Sequence, residues 1–228
     1  MRRHSFIKVL GILLFKDLRS EARSKQTLAT MALFGLVLAF IFAFGFVADP
    51  KTNLRVLPGA LWGSLLFTGT LGVGRTFAQE SHDGAFAALV LSPAPRSAIL
   101  LGKILINFLL TVLVMFIVMP ILSVMLHVDL SGHVGIILMQ VALGSLAFAA
   151  VGTPLAVVAV NARFAEVLLP MVIFPMLTPV LIAGVKSTGI VLGTSVGIDP
   201  WPWMQFMIAF IAFFGTMGLF LFERMVTE

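Results

Sequence analysis

The sequence predicts an all-α integral membrane protein: six transmembrane helices preceded by an N-terminal amphipathic interfacial helix. Three observations carry this expectation. Of 228 residues, 60% are hydrophobic and only 11% charged, and the mean hydropathy is +1.10, a balance that leaves too little polar surface for a water-soluble domain. Six stretches free of Asp, Glu, Lys and Arg each approach the roughly 20 apolar residues that a helix needs to cross hydrocarbon. No stretch alternates apolar and polar residues over ten positions, as the strand of an outer-membrane barrel does. Cysteine is absent, which excludes a disulfide framework, a thiolate metal site and a Cys nucleophile.

The elements follow in chain order. Residues 1–27 do not read as a cleavable signal peptide, because Lys8 interrupts their apolar run and Lys16-Asp17 follows with no small-residue cleavage site. In helical projection Phe6, Leu10, Leu13, Leu14 and Leu18 share one face, with Lys8, Lys16 and Arg19 opposite, the pattern of a helix lying in a headgroup layer. Residues 28–228 then hold the spans, at about 28–47, 56–74, 104–126, 134–160, 167–185 and 203–222. A polar connection at 75–103 joins the second and third.

Orientation follows from where Lys and Arg fall. Arg2, Arg3, Lys8, Lys16, Arg19, Arg23, Lys25, Arg75, Arg96, Lys103, Arg163 and Arg224 lie on one side, and Lys51, Arg55 and Lys186 on the other. This asymmetry predicts that both termini are cytoplasmic. The basic residues are not gathered with aromatics into one soluble patch, so the formal charge of +5 points to membrane lipid as a partner and away from nucleic acid.

The chain has no engine of its own in view. Its one Gly-Lys pair, Gly102-Lys103, is followed by Ile104 and lacks the phosphate-cradling G-x-x-x-x-G-K-[ST] pattern. The expected span interiors hold no charge of the kind that ion-coupled carriers use, and Glu166 falls at the start of the fifth. His4, His82, His127 and His133 are scattered over both sides, so no convergent catalytic or metal-binding set is expected. A permease driven by another subunit or a passive scaffold remains.

The connection 75–103 has more pattern than a linker. Glu80 and Asp83 precede Gly84 and the apolar run Ala85 to Leu91, placing acidic groups where the positive end of a short helix favours them. Ser92-Pro93 stops that run, and Arg96 and Lys103 bracket the entry to the third span. Such an element suits docking into a groove on a soluble partner.

These residues also carry a resemblance. The string Glu80, Gly84, Leu89, Leu91-Ser92-Pro93, Arg96, Ile99-Leu100 and Gly102-Lys103 resembles the loop and coupling helix of ABC-2-type exporter permeases. Lys16 through Glu21 with Arg23 through Gln26, Leu66 through Gly72, Phe77 through Glu80, and Pro179 through Gly184 resemble the haem exporter protein B (CcmB) family of the cytochrome c maturation system. The resemblance implies a bacterial inner-membrane permease subunit working with an ABC ATPase (CcmA-like) and with CcmC-like and CcmD-like membrane subunits. Haem would then be a possible substrate and not a directly bound cofactor, its ligation belonging to the CcmC-like partner, with ATP on the ATPase subunit. Glu80, Asp83, Gly84, Leu91, Ser92, Pro93 and Arg96 would form the ATPase-facing element. Lys16, Asp17, Arg19, Glu21 and Arg23 would belong to the interfacial helix beside it. Ser81-His82 is a neutral pair where the family pattern leads us to expect charge. The alternatives are an ABC-2 permease for lipid, polysaccharide or drug, and a non-transporting scaffold.

Several further positions have a structural expectation. His127 and His133 are expected to be a solvated loop pair, and Trp201 and Trp203 to anchor a span at the membrane boundary. Gly59-x-x-x-Gly63 and Ser145-x-x-x-Ala149-x-x-x-Thr153 are candidates for close helix contact, and Asn107, Gln140 and Gln205 for interhelical hydrogen bonds. Pro170, Pro175 and Pro179 remove backbone donors from the fifth span.

Overall fold

In the computed structural model, residues 6–45, 49–82, 95–159 and 165–225 are described, with side chains omitted at 76–82, 158–159, 165–166 and 223–225. These residues form seven helices: α1 (Phe6–Ser24), α2 (Gln26–Gly45), α3 (Pro50–His82), α4 (Arg96–Met125), α5 (Val134–Ala159), α6 (Ala165–Val191) and α7 (Trp201–Met225). The last six are each long and apolar enough to cross a membrane. They alternate in direction, so α1 and the first turns of α2, α4 and α6 lie at one end of the bundle. No strand occurs among the described residues.

The helices overrun the expected spans where charges had suggested ends. The segment 75–103, read from sequence as a connection, is helical through His82 and again from Arg96. Likewise α3 begins at Pro50 and not at 56, and α6 continues past Lys186 to Val191. A charged side chain marks the edge of hydrocarbon, but backbone hydrogen bonding has no reason to stop there. What starts α3 is local chemistry. Pro50 occupies its first turn, where a missing N–H costs nothing, and the Asp49 carboxylate accepts hydrogen bonds from the Lys51 and Thr52 amides (3.0 and 3.2 Å) and the Thr52 hydroxyl (2.8 Å). The Thr52 side-chain hydrogen bond is the largest cause holding the Asp49 carboxyl below its ordinary value.

Three helices carry the core. The membrane-crossing stretch of α3 is 72% buried, that of α5 56% and that of α4 50%, whereas α2 and α7 reach only 22% and 17%. The outer helices therefore present Leu33, Val37, Phe40, Ile41, Phe44, Phe213 and Phe220 to the surroundings, as lipid-facing helices do. Trp62 of α3 is the largest fully buried side chain. Its ring lies over Gly144 of α5 and Gly184 of α6, where an added Cβ would overlap ring atoms. Its indole N–H donates to Thr188 Oγ1 (2.9 Å), Thr188 donates to Gln140 Oε1 (2.9 Å), and the Gln140 amide donates to Ser187 Oγ (2.7 Å). One continuous chain of hydrogen bonds thus ties α3, α5 and α6 together in the half of the bundle away from α1. In the other half Asn107 of α4 donates to Thr153 of α5 (3.1 Å).

The small-residue expectations divide. Ser145, Ala149 and Thr153 are all fully buried on α5, but a Cβ at Gly59 would meet nothing within 4 Å and one at Gly63 only the Phe42 ring at 3.8 Å. Close approach is made instead at Gly35, Gly69, Gly72, Gly144 and Gly184. Gln140 and Asn107 bond between helices as expected, whereas Gln205 is exposed on α7. A spacing motif names residues small enough to permit contact, and helix rotation decides which of them face a neighbour. The Ser64 and Ser145 hydroxyls are buried without a hydrogen-bond partner among the described residues.

Replacing Gly184 by Ala is expected to lower the unfolding free energy in detergent by about 1–3 kcal/mol, the range for overpacking a filled core. Gly59→Ala is expected to leave it within about 0.5 kcal/mol; equal effects at the two positions would contradict the Trp62 packing. Because the Asp49 carboxyl titrates below 3.8 in the fold, its hydrogen bonds favour the folded state above that value. They are lost as the pH falls through the lower folded value. Amide exchange at Lys51 and Thr52, corrected for intrinsic rate, should therefore rise on acidification below about pH 4.

Candidate functional site

The residues expected to matter gather at the end where α1 lies. The chain turns sharply between α1 and α2 at Lys25, which adopts a left-handed conformation (φ 53°). That turn folds α1 back so that its two acidic residues, four apart and so on one face, both point into the bundle. The Glu21 carboxylate accepts the Leu28 amide of the first turn of α2 (2.7 Å), satisfying an orphan donor at the positive end of that helix. Asp17 accepts the Lys103 ammonium of α4 at 2.8 Å.

The Asp17–Lys103 pair is the electrostatic centre of this seat. The two side chains keep only 12% and 5% of their surface. Around them Leu13 packs against a cluster that includes Ile99, Leu100 and Ile104 of α4, and Gly102 lets the helices close, with Leu13 Cβ 3.5 Å from where a Cβ would stand. Lys16 also reaches Asp17 (3.2 Å) but keeps 47% of its surface, so that second pair contributes little, on the order of 1 kcal/mol or less. The buried pair differs in kind: its net contribution is small, but removing one partner strands the other charge in a poorly hydrated place.

This geometry changes the reading of α1. The face holding Leu10, Leu13 and Leu14 turns toward α4 and not toward a headgroup layer. Ile7, Ile12 and Phe15, interspersed with Lys8, Lys16 and Arg19, make the exposed face instead. Asp17 lies in the middle of the buried arc, at 100° per residue between Leu10, Leu13 and Leu14. An acid at the centre of an apolar stripe is the signal that sequence reasoning passed over: it requires a buried cation, and Lys103 supplies it.

Of the other site residues, Arg19 and Arg23 are exposed and Arg96 is half-buried as the first residue of α4. Glu80 falls in the last turn of α3. Asp83, Gly84, Leu91, Ser92 and Pro93, together with the short helix expected at Ala85 to Leu91, lie outside the described residues. At the opposite end His127 and His133 are both exposed, and His127 takes a left-handed conformation (φ 54°) just past α4. There the Ser131 amide, donating at 2.8 Å, is the first cause lowering the Asp129 carboxyl, with His133 a lesser one. Trp201 opens α7 half-exposed while Trp203 packs on the core. Among the described residues no three His, Asp or Glu side chains converge as metal ligands.

Six membrane helices preceded by an amphipathic helix are the architecture the resemblance implied, the seating of that helix on the third span was not expected, and comparison with known proteins decides the family. The profile of the CcmB protein family matches residues 8–226. The chain belongs to that family. It is 28% identical to heme exporter protein B of Paracoccus denitrificans over 86% of this chain and 88% of the relative. It is similar also to heme exporter protein B of Rhodobacter capsulatus, at 28% over 76% and 79%, and of Pseudomonas aeruginosa, at 26% over 77% and 78%.

Asp17→Asn is expected to destabilise the purified protein by about 3 kcal/mol, and Lys103→Met by somewhat less, because the first leaves a buried ammonium without its carboxylate. The double variant Asp17→Leu/Lys103→Met should recover most of the loss. A thermodynamic cycle showing no coupling between the two sites would contradict the pairing.

Proposed function

We propose that the chain is the membrane permease subunit of an ABC transporter complex that exports or releases haem during c-type cytochrome assembly. ATP is hydrolysed by a separate subunit, haem is the substrate and not a resident cofactor, and further membrane subunits complete the assembly. The observation that carries this reading is the family match across nearly the whole chain, supported by relatives named heme exporter protein B. The distribution of Lys and Arg supports both termini in the cytoplasm of a bacterium and the bundle in its inner membrane.

The geometry supplies a transmission. The proposed ATPase-facing element, with Glu80, Asp83, Gly84, Leu91, Ser92, Pro93 and Arg96, joins the end of α3 to the start of α4. A push on that element reaches α4 at Arg96, two helical turns before Lys103. Lys103 binds α4 to α1 through Asp17, and Glu21 ties α1 to α2. Displacement of α4 therefore moves α1 and the start of α2 with it. Further along, α4 packs against α2, α3 and α5, so the movement enters the core from its charged end.

The test is co-purification of the tagged chain with its ATPase subunit, followed by turnover and by cytochrome c maturation in cells. Replacement of residues 85–91 by glycine and serine is expected to abolish coupled turnover and maturation while the bundle still folds. Asp17→Leu/Lys103→Met, folded but without its ion pair, is expected to retain ATPase binding and lower maturation several-fold. Normal maturation in both variants would defeat the proposal and favour a passive scaffold; loss of maturation with normal export of a different cargo would favour another exporter.

A further inference from the structure

Seating on α4 occupies only one side of α1. On the other side Ile7, Ile12 and Phe15 are exposed at 77%, 60% and 67%, and Lys8, Lys16, Arg19 and Arg23 are exposed among them. The two acids of α1 are both turned inward, Asp17 to Lys103 and Glu21 to the Leu28 amide. The outer face thus holds four cations and no carboxylate of its own helix; among the described residues Lys16 touches Asp17 at 3.2 Å. Gly11 and Ser20 complete an open surface that Ile7, Ile12 and Phe15 share with these cations.

Its position says what covers it. A single residue, Lys25, separates α1 from the start of the α2 span, and Leu13 rests on α4 at Ile99 to Ile104, within the first turns of another span. The face therefore lies level with the ends of membrane helices. Apolar side chains alternating with long basic ones suit that depth: rings and branched chains enter the acyl boundary while Lys and Arg stems extend so that their charges stay with the headgroups. We infer that the outward face of α1 is a binding surface for anionic phospholipid, the four cations holding headgroup phosphates and Ile7, Ile12 and Phe15 inserted between acyl chains. An acidic protein surface would answer the charges but would leave these apolar side chains facing a polar partner. The inference rests on the placement of α1 and not on the transport reading, so coupled ATP turnover can survive its failure.

The experiment uses the full chain reconstituted in vesicles of equal phosphatidylglycerol and phosphatidylcholine. Spin-labelled analogues of each report which lipid is immobilised at the protein. The wild-type chain is expected to prefer the anionic lipid about fivefold at low salt, falling below about twofold at 1 M salt, where charges are screened within about 3 Å. Replacing Lys8, Lys16, Arg19 and Arg23 together by Gln is expected to remove the preference. Exchanging Lys for Arg and Arg for Lys at the same four positions should keep it, and Lys51→Gln/Arg55→Gln at the far end should not change it. No preference in the wild type, an undiminished one in the Gln variant, or equal loss in the exchange variant would each overturn the inference. So would a Gln variant that keeps its lipid preference but releases a soluble acidic partner, which would assign the face to protein.

Discussion

Hydrocarbon offers a polar group no water to fall back on, and that constraint arranges this bundle. A polar side chain carried into the core is costly unless it finds a partner, and where the partner sits on another helix the pairing fixes helix rotations far more narrowly than apolar packing alone. Trp62, Thr188, Gln140 and Ser187 satisfy one another in sequence across three helices, and that chain sets α3, α5 and α6 against each other. With Trp62 held by its N–H, its ring has one place to go, and only glycine at 144 and 184 leaves room for it. Lipid provides no hydrophobic drive between helices, so close packing around such a fixed ring supplies the attraction instead.

The same constraint acts at the charged end with a different result. Lys103 sits where the α4 span gives way to the headgroup region, and there an ammonium has two escapes: extend toward water or find a carboxylate. It finds Asp17. Because that pair is buried, it couples α1 to α4 more by what its disruption would cost than by net attraction. A connection of this type suits a part that must transmit displacement, since the two helices cannot separate without exposing both charges to an environment that solvates neither well. Leu13 against Gly102 adds contact but no such penalty, and it fixes distance where the ion pair fixes register.

Placing α1 this way also explains why one short helix carries apolar residues almost all round. Its Leu10, Leu13 and Leu14 belong to the protein, and its Ile7, Ile12 and Phe15 belong to the surroundings. A simple two-face projection merges the two groups because Leu18 falls between Leu14 and Phe15. The expected amphipathic helix is present, yet the face expected to meet lipid is the one that meets α4.

The number of membrane helices and the amphipathic start were legible in sequence, because they depend on quantities that are local: twenty uncharged residues make a span whatever surrounds them, and helical periodicity survives in a single segment. The family was legible for another reason, since strings such as Lys16 through Glu21 and Leu66 through Gly72 resemble the family's pattern in residue type and spacing. Helix ends were read too short at Arg75, Arg96 and Lys103, because charge reports the edge of hydrocarbon while backbone bonding continues past it. Which small residues make contact, which acid meets which base and which face of α1 stays open were left to the tertiary structure. Those outcomes depend on the rotation of each helix about its own axis, a freedom that an almost uniformly apolar sequence does not constrain until a few buried polar groups pair across helices that lie far apart along the chain.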